Sequence, residues 1–460
     1  MEDGDPTETT DATPRSRRRT TADVSAGRAV AFVTANTFEF DSRLDRAAGT
    51  LAERGWSVTV VSYPAPHLPA EESLANGVRV RRPPVERRIV AALAPLPGPV
   101  RNALGRALGL DPEATRLPVP RRGLLERVRG PIRRGLEILA YRRRVRAWSD
   151  AVLASAPDAR IFAAKALVAL PVVAQAASER HGAFVYDVAD LHIESGRLAH
   201  LPRLLKAYLR RRERRWLREA SGLTAATGAL ADAVVDRYGS ARPAVVLNVR
   251  PRWRPGDPAP GSGRLRETAG IGATDPLLLY QGAFRVEQGI EELLRALRDP
   301  ELRDRELAVV FLGFGHLEDA LRTAATHDPR IRVLPAVSSS ELLDWTSGAT
   351  LAFVGTPPTT VNQRLTTPNK LFESLMAGVP VVVAGGTATA GLVRDAGVGI
   401  VVEPWTSATL ARAIAALVDD PAEVARFRAN ARRAALERFN WETEREGLVE
   451  VYERVAADLS

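Results

Sequence analysis

From residue 28 onward, short apolar runs alternate with longer stretches in which apolar positions recur every three or four residues. AVAFVTA (29–35) and SVTVVSY (57–63) read as buried strands. Between them, residues 36–55 carry a helical period and end in glycine. A strand–helix–strand unit of this kind is one half of a Rossmann-like fold. VRVRR near Val78 is a further strand candidate. Residues 83–146 then break the rhythm with arginine and proline and read as a basic insertion. Alternation resumes at RIFAA near Ile161, AFVYDVA near Phe184, SGLTAAT near Gly222 and AVVLNV near Ala244. The stretch 250–263, RPRWRPGDPAPGSG, has linker composition, and its core is placed at 251–263.

A second series follows. LLLYQGA (277–283), AVVFLGFG (308–315), IRVLPAV (331–337), ATLAFVG (349–355), VPVVVAGG (379–386) and GIVVEP (399–404) read as strands, with helices near 287–297, after Gly315, from Ser339, at 367 and from Thr406. The expected fold is α/β: two Rossmann-like parallel-sheet domains, 28–250 and 264–440, facing a cleft. A last helix from Trp441 to the end is expected to return to the first domain, and the polar residues 1–27 to form a disordered tail.

With 45% hydrophobic and 26% charged residues in 460, the chain has the composition of a soluble globular protein. Having no cysteine, it holds no disulfide and no thiolate metal site. The apolar runs are too short to cross a bilayer, which points to a cytoplasmic protein. The net charge of +9 is local: residues 101–146 hold thirteen Arg against four acids. A second basic run, 201–220, interleaves Leu205, Tyr208, Leu209 and Trp216 with arginine. Both runs fit either a solvated helix surface or contact with anionic lipid at the inner face of the cell membrane or with a lipid-phosphate acceptor. No helix-turn-helix, finger or RNP pattern supports nucleic acid as a partner. A nicotinamide dehydrogenase is a poor reading, because neither first-strand turn carries G-x-G-x-x-G.

The stretch TTPNKLFESLMAGVPVVVAGG (366–386) holds the most chemistry. Thr367 suits an N-cap and Pro368 the first helical position, while Gly378 and Pro380 end the helix. Lys370 then lies in the first turn, where its charge opposes the helix dipole by roughly 0.3–1 kcal/mol. An anion docking at that end would remove the mismatch. Asn369, Glu373 and Ala377 share one stripe, so Glu373 must meet a cleft or a hydrogen-bond donor such as a ribose hydroxyl.

PNKLFESLMAGVPVV resembles the donor motif of nucleotide-sugar glycosyltransferases of the GT-B fold, family 4 (glycosyl transferases group 1). FDSRLDRAAGTLAERGWSVTVVS, FVYDVADLHIES, LYQGAFRVEQGIEELLRAL, VFLGFGHLEDAL and FNWETEREGLVEVYERV are similar to further segments of that family. The resemblance implies that Glu373 holds the donor ribose, and that Thr367, Asn369 and Lys370 hold the diphosphate, with Gly282 allowing close approach. It sets Gly313 and Gly315 beside the nucleotide, followed by His316, and places Gln288 and Arg285 in the diphosphate loop. Asp41, Arg43, Asp187, His192 and Glu194 would face the acceptor and the reacting sugar, with Lys370, Arg285 and His192 as the catalytic candidates.

The implied activity is a retaining, metal-independent transfer from a nucleotide-sugar substrate, without a cofactor, to a glycan or lipid-linked acceptor. Cell-surface polysaccharide or glycolipid synthesis is the implied setting. Two departures stand out. Ala283 and Gln288 occupy positions where the family commonly carries cations, and Leu365 replaces the first glutamate of the paired-glutamate motif. The first departure keeps an alternative open: a degenerate, non-catalytic partner that binds nucleotide or membrane.

Overall fold

The computed structural model of this chain describes residues 28–84, 142–253 and 263–460. The N-terminal stretch, most of the basic insertion and the centre of the linker lie outside the described residues. Two sheets organise the remainder. The first has the order β3-β4-β2-β1-β5-β6-β7-β8, the second β11-β10-β9-β12-β13-β14.

In the first domain the strands are β1 (Ala29–Val33), β2 (Ser57–Val61), β3 (Glu71–Ser73), β4 (Arg79–Arg81), β5 (Ile161–Ala164), β6 (Ala183–Val188), β7 (Gly222–Ala225) and β8 (Ala244–Val245). All are parallel except β3, an antiparallel edge strand whose polar EES sequence has no strand pattern. Its helices include α1 (Ser42–Glu53), α2 (142–155), α3 (Leu170–Glu179) and α4 (Arg203–Glu219). Residues 142–146 are thus the start of a domain helix, because Trp148 and Val152 in α2 anchor it in the core.

The second sheet, β9 (Leu277–Ala283), β10 (Ala308–Phe314), β11 (Ile331–Leu334), β12 (Leu351–Val354), β13 (Val381–Ala384) and β14 (Gly399–Val402), is parallel throughout. Its buried strands read as near-continuous apolar runs, as expected when helices cover both faces. Two of its helices position the site: α5 (Val361–Leu365) and α6 (Asn369–Met376). Residues 388–396 and 421–437 are further helices without a counterpart in the sequence reading. In both sheets the strand order reverses beside a central strand, between β1 and β5 and between β9 and β12, and such switch points open a crevice at the carboxyl ends.

Two chain crossings join the domains. Residues 246–253 leave β8 after two ladder residues, so the apolar run 244–249 is only partly a strand. The last helix, α7 (Trp441–Asp458), packs on α1, β7 and β8 of the first domain. The Trp441 indole donates to Thr50 Oγ1 at 2.9 Å, and Tyr452 meets Phe32 and Trp56. The crossings brace each other, with Trp441 N–H donating to the Arg250 carbonyl at 2.9 Å.

Candidate active site

A cleft of about 810 Å³ separates the carboxyl ends of the two sheets, a volume that suits a nucleotide-sized ligand. The second domain lines it with Arg285, Gln288, His316, Thr367, Pro368 and Asn369. The first domain contributes Arg43, Lys165, Asp190, His200 and Asn248. Hydrogen bonds span the two domains. Asn362 in α5 donates to Asp190 Oδ1 at 2.8 Å and accepts from Leu191 N–H at 2.7 Å. Thr227 Oγ1 donates to the Leu365 carbonyl at 2.6 Å, and the Asn248 amide donates to Asn369 Oδ1.

The α6 helix begins at Asn369, with Pro368 extended before it at the cap position and no side-chain cap. Thr367 therefore lines the cleft and does not cap the helix, because Pro368 (ψ 145°) keeps extended geometry there. Lys370 remains in the first turn, but it lies beneath the cleft surface at 8% exposure. Its Nζ sits 4.1 Å from the Tyr280 ring centroid and has no hydrogen-bond partner. Burial lowers its pKa from 10.5 to about 7, an effect the nearby Glu373 only partly opposes. The cation is thus held by an aromatic face and one neighbouring carboxylate.

Glu373 is also set back from the cleft lining. Gln281 Nε2 donates to its Oε2 at 2.9 Å, and Arg250 Nε stands 3.5 Å from its Oε1. Gln281 is itself fixed by Thr346 Oγ1, which donates to its carbonyl oxygen at 2.6 Å. Arg46 in α1 lies close enough to feel both Arg250 and Glu373. Burial, together with Arg250, lowers its pKa to about 10. Three buried nitrogens around one carboxylate, Lys370 Nζ, Arg46 Nε and Arg250 Nε, are left without hydrogen-bond partners. Sequence reasoning missed Gln281, Thr346, Arg46 and Arg250. Their only signal is spatial, since they come from separate strands, helices and the domain crossing.

The glycines of the second domain face each other across β9 and β10. Gly282 (φ +115°) pairs with Gly313 (φ +156°), and a Cβ on Gly313 would lie 2.0 Å from the Gly282 carbonyl. A Cβ on Gly282 would meet no protein atom, so that position leaves open space for another molecule. Gly315 (φ +150°) is packed against the Phe284 backbone.

In the first domain, Arg43 and Asp187 form a bidentate pair at 2.7 and 2.6 Å, and Arg43 also donates to the Val246 carbonyl. Burial would raise the Asp187 pKa, but Arg43 and the Thr224 hydroxyl outweigh it and hold it below the carboxylate range. Asp41 caps α1 at Leu44 N–H and is paired with Lys165. Two of the expected acceptor-side residues have their side chains outside the cleft lining. Glu194 does not line the cleft, because Lys206, Arg210 and Arg237 occupy its oxygens on the domain's own side. His192 does not line it either: its Nε2 is sealed from solvent without a partner, and its electrostatic neighbour is the buried Glu213.

Residues 275–420 match the family described as Glycosyl transferases group 1. D-inositol 3-phosphate glycosyltransferase 1 of Catenulispora acidiphila is 33% identical over 252 residues, 51% of this chain and 57% of that protein. The chain thus spans little more than half the length of the curated relatives it matches. Its structure is similar to sucrose-phosphate synthase from Thermosynechococcus elongatus, with a TM-score of 0.69 at 16% identity over 94% of this chain and 100% of that one. It is also similar to Anabaena HepE in complex with UDP-glucose, with a TM-score of 0.60 at 16% identity over 92% and 99%. At these identities the likeness shows the fold, which is GT-B.

Proposed function

We propose that this chain moves a sugar from a nucleoside-diphosphate sugar to a glycan or lipid-linked acceptor, a reading supported by the match of residues 275–420 to the family described as Glycosyl transferases group 1. On this reading the transfer retains anomeric configuration, needs no metal, and serves cell-surface polysaccharide or glycolipid synthesis at the inner face of the membrane. The observation that carries it is the buried Lys370 ammonium, which has no hydrogen-bond partner and sits behind the cleft end of α6 beside Glu373.

A departing diphosphate gathers negative charge, and donors already in place stabilise it at no reorganisation cost. The α6 amide groups, Thr367, Asn369, Lys370 and Arg285 are assigned that role, with Gly282 leaving the phosphates room. Glu373, steadied by Gln281, is assigned the ribose, and Gln288 a neutral hydrogen bond to phosphate. Gly313 borders the nucleotide. Arg43 and Lys165, with Asp187 and Asp41 behind them, are assigned to the acceptor side. A phosphate-bearing acceptor is suggested by the Catenulispora relative, which is named for D-inositol 3-phosphate.

The test is transfer or hydrolysis from UDP-, GDP-, ADP- and TDP-sugars, with D-inositol 3-phosphate among the acceptors, beside the matching nucleotide melting shifts. A nucleotide at one hundred times its Kd stabilises the fold by about 2.7 kcal/mol. Turnover that falls in Lys370→Ala and Glu373→Ala while both stay folded supports the assignment. The second reading, a non-catalytic nucleotide-binding partner, is motivated by Ala283 and Gln288. A melting shift without turnover from any donor would select it.

A further inference from the structure

The first domain has a second opening, away from the interdomain cleft. Helices α2, α3 and α4 enclose a groove of about 630 Å³ edged by Arg142, Arg146, Arg212 and Arg215. Trp216 forms part of its wall, with the Arg212 guanidinium 5.0 Å from the ring centroid. Glu219 is the one acid among the lining residues, and it is paired with Arg215 at 2.7 Å. Arg142, Arg146 and Arg212 have no acidic partner among the described residues. The sequence leading to Arg142 is itself strongly basic, residues 101–146 carrying thirteen Arg against four acids.

Two features define what would. Every cation here is arginine, whose planar fork grips phosphate oxygens in pairs. In addition, α4 presents apolar side chains to water: Leu204 is 87% exposed, Tyr208 53% and Leu205 44%. Leu205, Tyr208, Arg212 and Arg215 follow one another at helical spacing, so the apolar and cationic parts form one stripe about 15 Å long. The stripe starts five residues after His200, which lines the cleft. A soluble phosphate would satisfy the arginines but leave the apolar end in water, whereas a phospholipid surface satisfies both.

We propose that this face docks on a bilayer rich in anionic phospholipid, with the groove arginines taking headgroup phosphates and Leu204, Leu205 and Tyr208 entering the interface. Resting on the transfer reading above, the docked orientation would bring a lipid-borne acceptor to the cleft past His200.

Flotation of the full chain with vesicles of phosphatidylcholine, and of equimolar phosphatidylcholine and phosphatidylglycerol, tests the surface. Binding is expected only to the anionic vesicles and should weaken with salt. Arg212→Gln with Arg215→Gln should lower partition on the order of thirtyfold, about fivefold per charge. Leu204→Ser with Leu205→Ser should lower it as well. The nucleotide melting shift and turnover on a soluble acceptor should stay at wild-type values in these variants. Equal binding to both vesicles, or wild-type partition by the arginine variant, overturns the proposal. So does tighter retention of a single-stranded RNA than of anionic vesicles through the same arginines. Flotation that holds while no donor is turned over leaves the docking surface standing and removes the transfer reading instead.

Discussion

Glu194 and Glu373 are glutamates surrounded by cations, one in each domain, and the fold uses them in opposite ways. Lys206, Arg210 and Arg237 close around Glu194; burial would raise its pKa, but the hydrogen bonds and charges of Lys206 and Arg210 outweigh it and hold it low. Glu373 has Gln281 at hydrogen-bond distance and Arg250 slightly beyond it, while Lys370, Arg46 and Arg250 each keep a buried nitrogen unbonded. A filled network stabilises the domain that contains it. An unsatisfied one costs about 1–3 kcal/mol for each buried polar group left without a partner, and an incoming anion can recover that free energy.

The largest test of this contrast is in turnover. Lys370→Ala is expected to lower transfer by about 10²–10³, the usual loss for one preorganised donor, with melting unchanged or slightly raised. Wild-type kcat in that variant would dissolve the contrast. The closed networks should respond in stability instead. Asp187→Asn leaves Arg43 buried and unpaired and should cost about 3–5 kcal/mol by denaturant unfolding. Glu194→Gln should cost about 1–3 kcal/mol while activity per folded molecule holds.

A smaller effect is expected from restoring charge to the diphosphate loop. Gln288→Arg should tighten UDP binding about tenfold by titration calorimetry, the scale of one charge-assisted hydrogen bond. An unchanged Kd would place Gln288 outside phosphate reach. The smallest effect is a fraction of a proton. Lys370 titrates near 7 when folded, against 10.5 ordinarily. Between those values the unfolded chain holds the extra proton, so the ligand-free fold gains stability as pH rises through that window. Lys370→Met should flatten the rise. UDP binding at pH 8 should draw a proton back, seen as a buffer-dependent enthalpy that the variant lacks.

Legibility differed between the levels of structure. LLLYQGA is a strand over the residues its apolar run marks, because a buried parallel strand is a local pattern read along a few residues. The antiparallel EES edge strand carries no such pattern and takes its form from pairing with β4. Within the site, the first-turn position of Lys370 followed from Thr-Pro and helical spacing, although Pro368 moved the helix start to Asn369. His192 and Glu194 were placed by neighbourhood in sequence, whereas in a 3₁₀ turn their side chains meet the buried Glu213 and the cations Lys206, Arg210 and Arg237.

The buried apolar strands, the two α/β halves and the misfit of a lysine at a helix start were set by the sequence alone, since each depends on residues within a turn or a strand of one another. Partner choice was left to the tertiary structure. Arg43 finds Asp187 across 144 positions, and Glu373 finds Gln281 across 92. Burial and Coulomb energy depend on separation in space, which only packing of the two domains establishes. The same ammonium that is unremarkable on a water-exposed helix therefore becomes, over the ring of Tyr280, a charge waiting for an anion.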